Sequence, residues 1–414
     1  MKATVIRKLF AILAIIGLLV SLVESPVRQG TIIIAAFDSS NQWKSQAMAI
    51  CTGTSDQNTI DKHLTTGSTM ELAPGTYNCS GPINIPSNSR LYGQGDPTVI
   101  NLQNAVISII DVNNIELDHF MINGTSSTNL AAIFLCSSNY AISDFIIHDI
   151  KCKALSGLCD FEIYSEGYEI SNVVFCRCDA NNPDGFGFFV SGEGKKPFMQ
   201  NMTFYKCTVE NAGLASTRTN VWATGFDFGE ASVLTINRLQ AINCSVNGAW
   251  ESDFHLEDSP TIEDLVITGC TATNAGQKPS PVYGQGYMIG SMSADTGDIV
   301  EYGNTASNNT GGDLILDGTV YTPIVNGVSP INSTKTATEV NKGNCSGVIV
   351  NTDSTHKELV LYTNNGKPVN QQLELGNYFV AYDGGSYTFT GKKIVVQFTN
   401  YIVIRLVESN MSPK

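Results

Sequence analysis

Asp227, Asp253, His255 and Glu257 are side chains of the kinds that move protons or hold cations, and three of them alternate within one short stretch. Alternate residues of a strand share a face, so Asp253, His255 and Glu257 would form one polar row if that stretch is extended. Asp227 lies in a segment of the same form: Gly225-Phe226-Asp227-Phe228 matches Asp253-Phe254-His255-Leu256. Were the two segments stacked as neighbouring strands, Asp227 would come within ~5–8 Å of the row. Two carboxylates so placed can divide acid and base work at a glycosidic bond, because crowding raises one pKa and leaves the other group ionised. Glu162, Arg218, Trp222 and Tyr283 are the residues expected to hold a substrate beside them. The same acidic groups could instead bind Ca²⁺ while Arg218 or a lysine takes a proton from a uronate. A third reading is plain: polar residues on an exposed strand, with His255 bonding a carboxylate.

These residues share a face only if a repeat positions them, and the chain carries one. With Val112, Ile142, Ile170, Met199, Ile236 and Ile262 as origins, an apolar residue recurs at offsets +3, +5, +8 and +10 of every copy. Ile115, Leu117, Phe120 and Ile122 make the first set; Leu265, Ile267, Cys270 and Ala272 make the last. Spacing by two reads as strand, and the intervening step of three reads as a bend. Offset +2 holds Asn114, Asp144, Asn172, Asn201, Arg238 and Asp264, mostly types that tolerate left-handed backbone, so a ladder of bends is expected there.

Each copy ends in a strand of Gly/Asp-aromatic-x-apolar form: Asp160-Phe161, Gly185-Phe186, Gly225-Phe226, Asp253-Phe254, Gly286-Tyr287 and, with leucine, Asp313-Leu314. The aromatics are expected inside as a stacked column, and Glu162, Gly187, Asp227, His255, Met288 and Ile315 outside, with Asp160, Asp253 and Glu257 as further outward neighbours. A unit of this size cannot bury its own face, but coiling it so that equivalent strands pair in parallel does so. The fold class is therefore all-β, a right-handed parallel β-helix with three strands per coil. The longest loops between strands, 210–224 and 274–285, would wall the outer face; they carry Arg218 and Trp222, and Lys278 and Tyr283.

Residues 1–30 read as a signal peptide or short anchor: Lys2, Arg7 and Lys8 precede an apolar run from Leu9 to Val23 that is too short to span a bilayer. The formal charge of −14 and the absence of a basic run argue against nucleic acid and anionic lipid as partners. An extracellular polysaccharide or cell-surface glycan suits an exported acidic chain better. Eight Asn-x-Ser/Thr sequences are compatible with glycosylation. Eleven cysteines show no metal spacing, and no disulfide scaffold is expected. Cys178, Cys207, Cys244 and Cys270 share offset +8 and read as small core residues in one column.

A resemblance follows from the segment ahead of the repeat: Cys51-Thr-Gly-Thr-Ser-Asp56-Gln57, Ile60 to Leu64, Glu71-Leu-Ala-Pro74-Gly75-Thr76-Tyr77, Ile85-Pro86, and Leu91-Tyr-Gly93-Gln-Gly95 to Val99-Ile100. It is similar to the pectate-lyase-like β-helix superfamily, and in particular to disaggregatase-like surface β-helix proteins of methanogenic archaea. The resemblance covers roughly residues 31–320. It implies a capping helix, first coils over this segment, and an active site on the strand and loops where Asp227 and Asp253 lie. It also implies a protein at the cell surface that binds and cleaves matrix polysaccharide, while the recognisable catalytic strings of polygalacturonases and pectate lyases are missing. The domain plan is a β-helix over 31–320, a linker over 321–346, and a small β-domain or cap over 347–414 with turns at Asn364-Asn365-Gly366 and Asp383-Gly384-Gly385. Two functions stay open: a lyase or hydrolase, and a non-catalytic surface, sheath or adhesion protein. A phage-type tailspike is disfavoured by the export segment.

Overall fold

The computed structural model describes residues 30–321, less 126–130, 154–156, 195, 217–221, 230–233, 257–260, 263, 279–283, 290–297, 303 and 317–318, and thereafter only strands between 337 and 408. The export segment and the Asn364-Asn365-Gly366 turn lie outside the described residues. Two compact units are present, Gly30–Val328 and one that takes in Ser329–Lys414.

The first unit is a parallel β-helix. An 18-stranded sheet holds the first two strands of each coil and a 10-stranded sheet holds the third. First strands include Ile142–Lys153, Glu169–Cys176, Phe198–Tyr205 and Thr235–Ile242; second strands include Asp179–Asn181, Thr208–Ala212 and Ser245–Ala249. Register follows the repeat: Ile142 pairs with Ile170, Ile170 with Met199, Met199 with Ile236 and Ile236 with Ile262. The expected bend ladder is also present. Asn114, Asp144, Asn172, Asn201 and Arg238 all have positive φ, and Asn172 and Asn201 each donate a side-chain hydrogen bond to the residue one coil back. Each rung thereby satisfies a polar group that a tight bend leaves without strand partners.

The third strands are Ala131–Ser137, Cys159–Ser165, Phe186–Gly192, Phe226–Phe228, Phe254–Leu256 and Gln285–Ile289. Phe161, Phe188, Phe226, Phe254 and Tyr287 stack along them with ring centroids 4.6–5.0 Å apart. This corrects one position. Phe188, not Phe186, continues the column, so the outward residue of that coil is Phe189 rather than Gly187. Both phenylalanines fit the sequence pattern, and only the pairing separates them. Gly187 faces inward at a close approach, where a Cβ would lie 2.6 Å from the Val209 side chain.

At the start of the unit, helix Gln57–His63 buries Ile60, in keeping with a capping role. Asp56 ties that region together by accepting the backbone N–H groups of Gly53 and Asn78 at 2.9 and 2.8 Å. Among the described residues ten cysteines are buried thiols outside any disulfide, Cys178, Cys207, Cys244 and Cys270 among them. In the second unit, strands form a five-stranded and a three-stranded antiparallel sheet.

Candidate functional site

The third-strand sheet turns one column of side chains away from the phenylalanine stack. Register makes it Phe134, Glu162, Phe189, Asp227, His255 and Met288, each paired with the next. Asp227 and His255 are therefore immediate cross-strand neighbours, and Glu162 stands two pairings from Asp227. Glu162, Asp227 and His255 are all nearly covered. Glu162 lies between the rings of Phe134 and Phe189 in this column; Phe189 stacks on Phe186 at 4.6 Å, and Phe134 meets Tyr164 at 6.2 Å. Burial pushes the Glu162 carboxyl up to about 7, and a hydrogen bond from the Cys159 thiol offsets this only slightly. At that value about half of these carboxyls still carry a proton at neutral pH, the form that a general acid needs.

Asp253 sits elsewhere. It shares its column with Asp160, Gly187 and Gly225, and at Gly225 a Cβ would lie 2.5 Å from the buried Val246 side chain, so this column packs into the coil. Asp160 and Asp253 are fully buried, and the carboxylate oxygens of Asp160 have no hydrogen bond. Burial holds both far above the usual carboxylate range, with the Thr273 backbone opposing it in part at Asp253. The outward placement expected for Asp160 and Asp253 is thus corrected: the residue before the aromatic packs into the coil beside it. Glu257, Arg218 and Tyr283 lie outside the described residues. Trp222 is 51% exposed on the approach to Phe226–Phe228. The two wall loops touch, because Lys278 donates to the Ser216 carbonyl at 3.3 Å and lies 5.2 Å over the Trp250 ring.

A second cluster escaped the sequence reading. It occupies the other bend of the first sheet, at offset +7, where His119, Asp149, Arg177, Lys206 and Asn243 all have positive φ. Arg90 donates to both oxygens of Asp118 at 2.8 and 3.0 Å, and Arg177 donates to both oxygens of Asp149 at 2.6 Å. Between these pairs lie His119 and His148, edge to face at 5.5 Å. His119 Nδ1 is 2.6 Å from Asp118 Oδ1, and His148 Nδ1 is 2.7 Å from Asp149 Oδ2. Burial works against a charged His148, but hydrogen bonds to Asp149 and Glu116 and the charge of Asp118 outweigh it and push the imidazole up to about 9. Burial likewise opposes ionisation of Asp118 and Asp149, yet their imidazole and guanidinium partners hold both below the usual range. The legible signal is a polar residue at +7 in five of the six copies, with Gly269 in the last; the residue types differ so much that no motif announces it.

No known protein family matches the chain, and no curated protein does. Among solved structures, the gp42 tailspike of Acinetobacter phage vb_AbaP_AS12 is similar at 11% identity and a TM-score of 0.31, over 94% of this chain and 84% of that one. The Dettilon tailspike protein gp208 gives 8% identity and a TM-score of 0.16, over 83% of this chain and 88% of that one. Likenesses this distant carry nothing about activity.

Proposed function

We propose that this is an exported or cell-surface β-helix protein that binds a polysaccharide along the column Phe134, Glu162, Phe189, Asp227 and His255 and hydrolyses it. The observation that carries the reading is Glu162, a carboxyl still about half protonated at neutral pH, two register positions from Asp227. Two strand spacings amount to ~9–10 Å between backbones. That is near the upper end of the ~6.5–9.5 Å at which a pair of carboxyls admits a water and cleaves with inversion. Glu162 would protonate the leaving oxygen, and Asp227 would take the proton of the attacking water. His255, next to Asp227, would favour its ionised form when charged. Phe134 and Trp222 offer faces on which a sugar ring can stack. The resemblance of the leading segment to pectate-lyase-like proteins supports a carbohydrate partner as well.

The test is to incubate the protein with neutral and acidic polysaccharides, with and without Ca²⁺, and to follow reducing ends and the absorbance of unsaturated products. Hydrolysis should appear as reducing ends alone and fall at least 100-fold in Glu162→Gln and in Asp227→Asn. Unsaturated products that require Ca²⁺ would replace this mechanism with a lyase. Retained binding without any cleavage would leave a non-catalytic glycan-binding protein.

A further inference from the structure

The bend cluster has features that charge balance among side chains does not account for. One donor atom each from Asp118, His119 and His148 falls within 4.8 Å of the other two. In both imidazoles Nδ1 is held by a carboxylate of the adjacent residue in the chain, Asp118 for His119 and Asp149 for His148. That is the outer-shell arrangement that fixes the tautomer of a metal-binding histidine and frees its Nε2. The Nε2 atoms then face carboxylate oxygens at 3.4 Å or more, the shortest of these contacts being a long hydrogen bond between His148 Nε2 and Glu116 Oε1. His148 Nε2 is 3.4 Å from Glu116 Oε1 and 3.8 Å from Asp118 Oδ2, and His119 Nε2 is 3.8 Å from Asp149 Oδ2. Around a tetrahedral ion with bonds of ~2.0–2.1 Å, neighbouring donors are ~3.3 Å apart.

We propose that Asp118, His119 and His148 form a binding site for a divalent transition ion of the zinc type, with Glu116 in reach as a fourth donor. Mixed nitrogen and oxygen donors favour zinc over calcium or magnesium, which take oxygen alone. Three carboxylates against two guanidiniums give the imidazoles a net negative surround. The ion takes the place of the proton on His148 Nε2. Asp118 and His148 are buried while His119 is open to solvent, so a rigid floor and a route of access coexist. Arg90 and Arg177 hold the carboxylates in place and act as positioning residues.

Tag-free, chelator-stripped full-length protein is titrated with zinc in competition with a chromophoric chelator, and with Co²⁺ to read coordination from its visible absorption. One zinc per chain is expected, bound at least tenfold more weakly in His119→Ala, whose solvent-exposed ring makes the change tolerable to the fold. His148→Gln should lose at least as much, and Asp149→Asn ~10–100-fold. Glu162→Gln and Asp227→Asn should bind zinc as wild type does, which separates this site from the sugar site. Absence of stoichiometric zinc, or an affinity unchanged in His119→Ala, overturns the proposal.

Discussion

At Glu162 a carboxyl group surrenders water on folding and gains little in return, so its proton is held more tightly in the native state than in the unfolded one. The folded value of about 7 lies above the ordinary 4.5. The sign follows: the stability tied to that proton is fully present below about 4.5 and is lost as pH climbs through about 7. The loss is on the order of 3 kcal/mol. Urea midpoints measured from pH 5 to pH 8 should therefore fall more steeply in wild type than in Glu162→Gln. Any cleavage should lose its rate over the same upper range, as the acid ionises. Arg90 presents the opposite case, a cation whose removal leaves an ionised Asp118 in the interior. Arg90→Met should cost ~3–5 kcal/mol in chemical denaturation. Arg90→Lys should recover only part of it, since an ammonium cannot match the paired contacts of the guanidinium.

Strands and bends were legible from the sequence to very different degrees. The pairing of the coils was legible because four apolar positions, two on the first strand and two at the second, anchor each copy, and a slip of one residue would expose them. The Asn/Asp ladder was legible because those side chains serve the left-handed backbone that the bend demands. Asn172 makes this measurable. It has φ 57° and hydrogen bonds to Asp144 below and Asn201 above. Asn172→Ala should destabilise by ~1–2 kcal/mol from backbone strain plus the lost bonds, and Asn172→Gly should restore mainly the strain. The third strands were less legible, since Phe186 and Phe188 satisfy the same alternation and the long loops carry no register. Alternation from the aromatic likewise places Asp253 outward, whereas its column packs into the coil, as the close approach of Gly225 to Val246 in the same column shows. The histidine bend was missed because its members share a backbone conformation and no residue type.

Across the whole coil, contacts run mainly between neighbouring turns, as in other solenoids, so stability accrues turn by turn. The outer column thereby becomes a graduated scale along the axis, on which Glu162 and Asp227 are two divisions apart and Phe189 marks the division between them. Excising residues 170–198 would join Glu169 to Met199, which now pairs with Ile170 and would take the place of Ile170 opposite Ile142. The shortened chain should keep its parallel-sheet circular dichroism and bring Glu162 and Asp227 to adjacent divisions, ~5 Å apart. At that gap a carboxylate attacks the sugar directly instead of through water. If the proposed hydrolysis holds, nuclear magnetic resonance of the first-formed anomer should report retention in the shortened chain and inversion in the parent, so that the handedness of the product counts the turns between two acids.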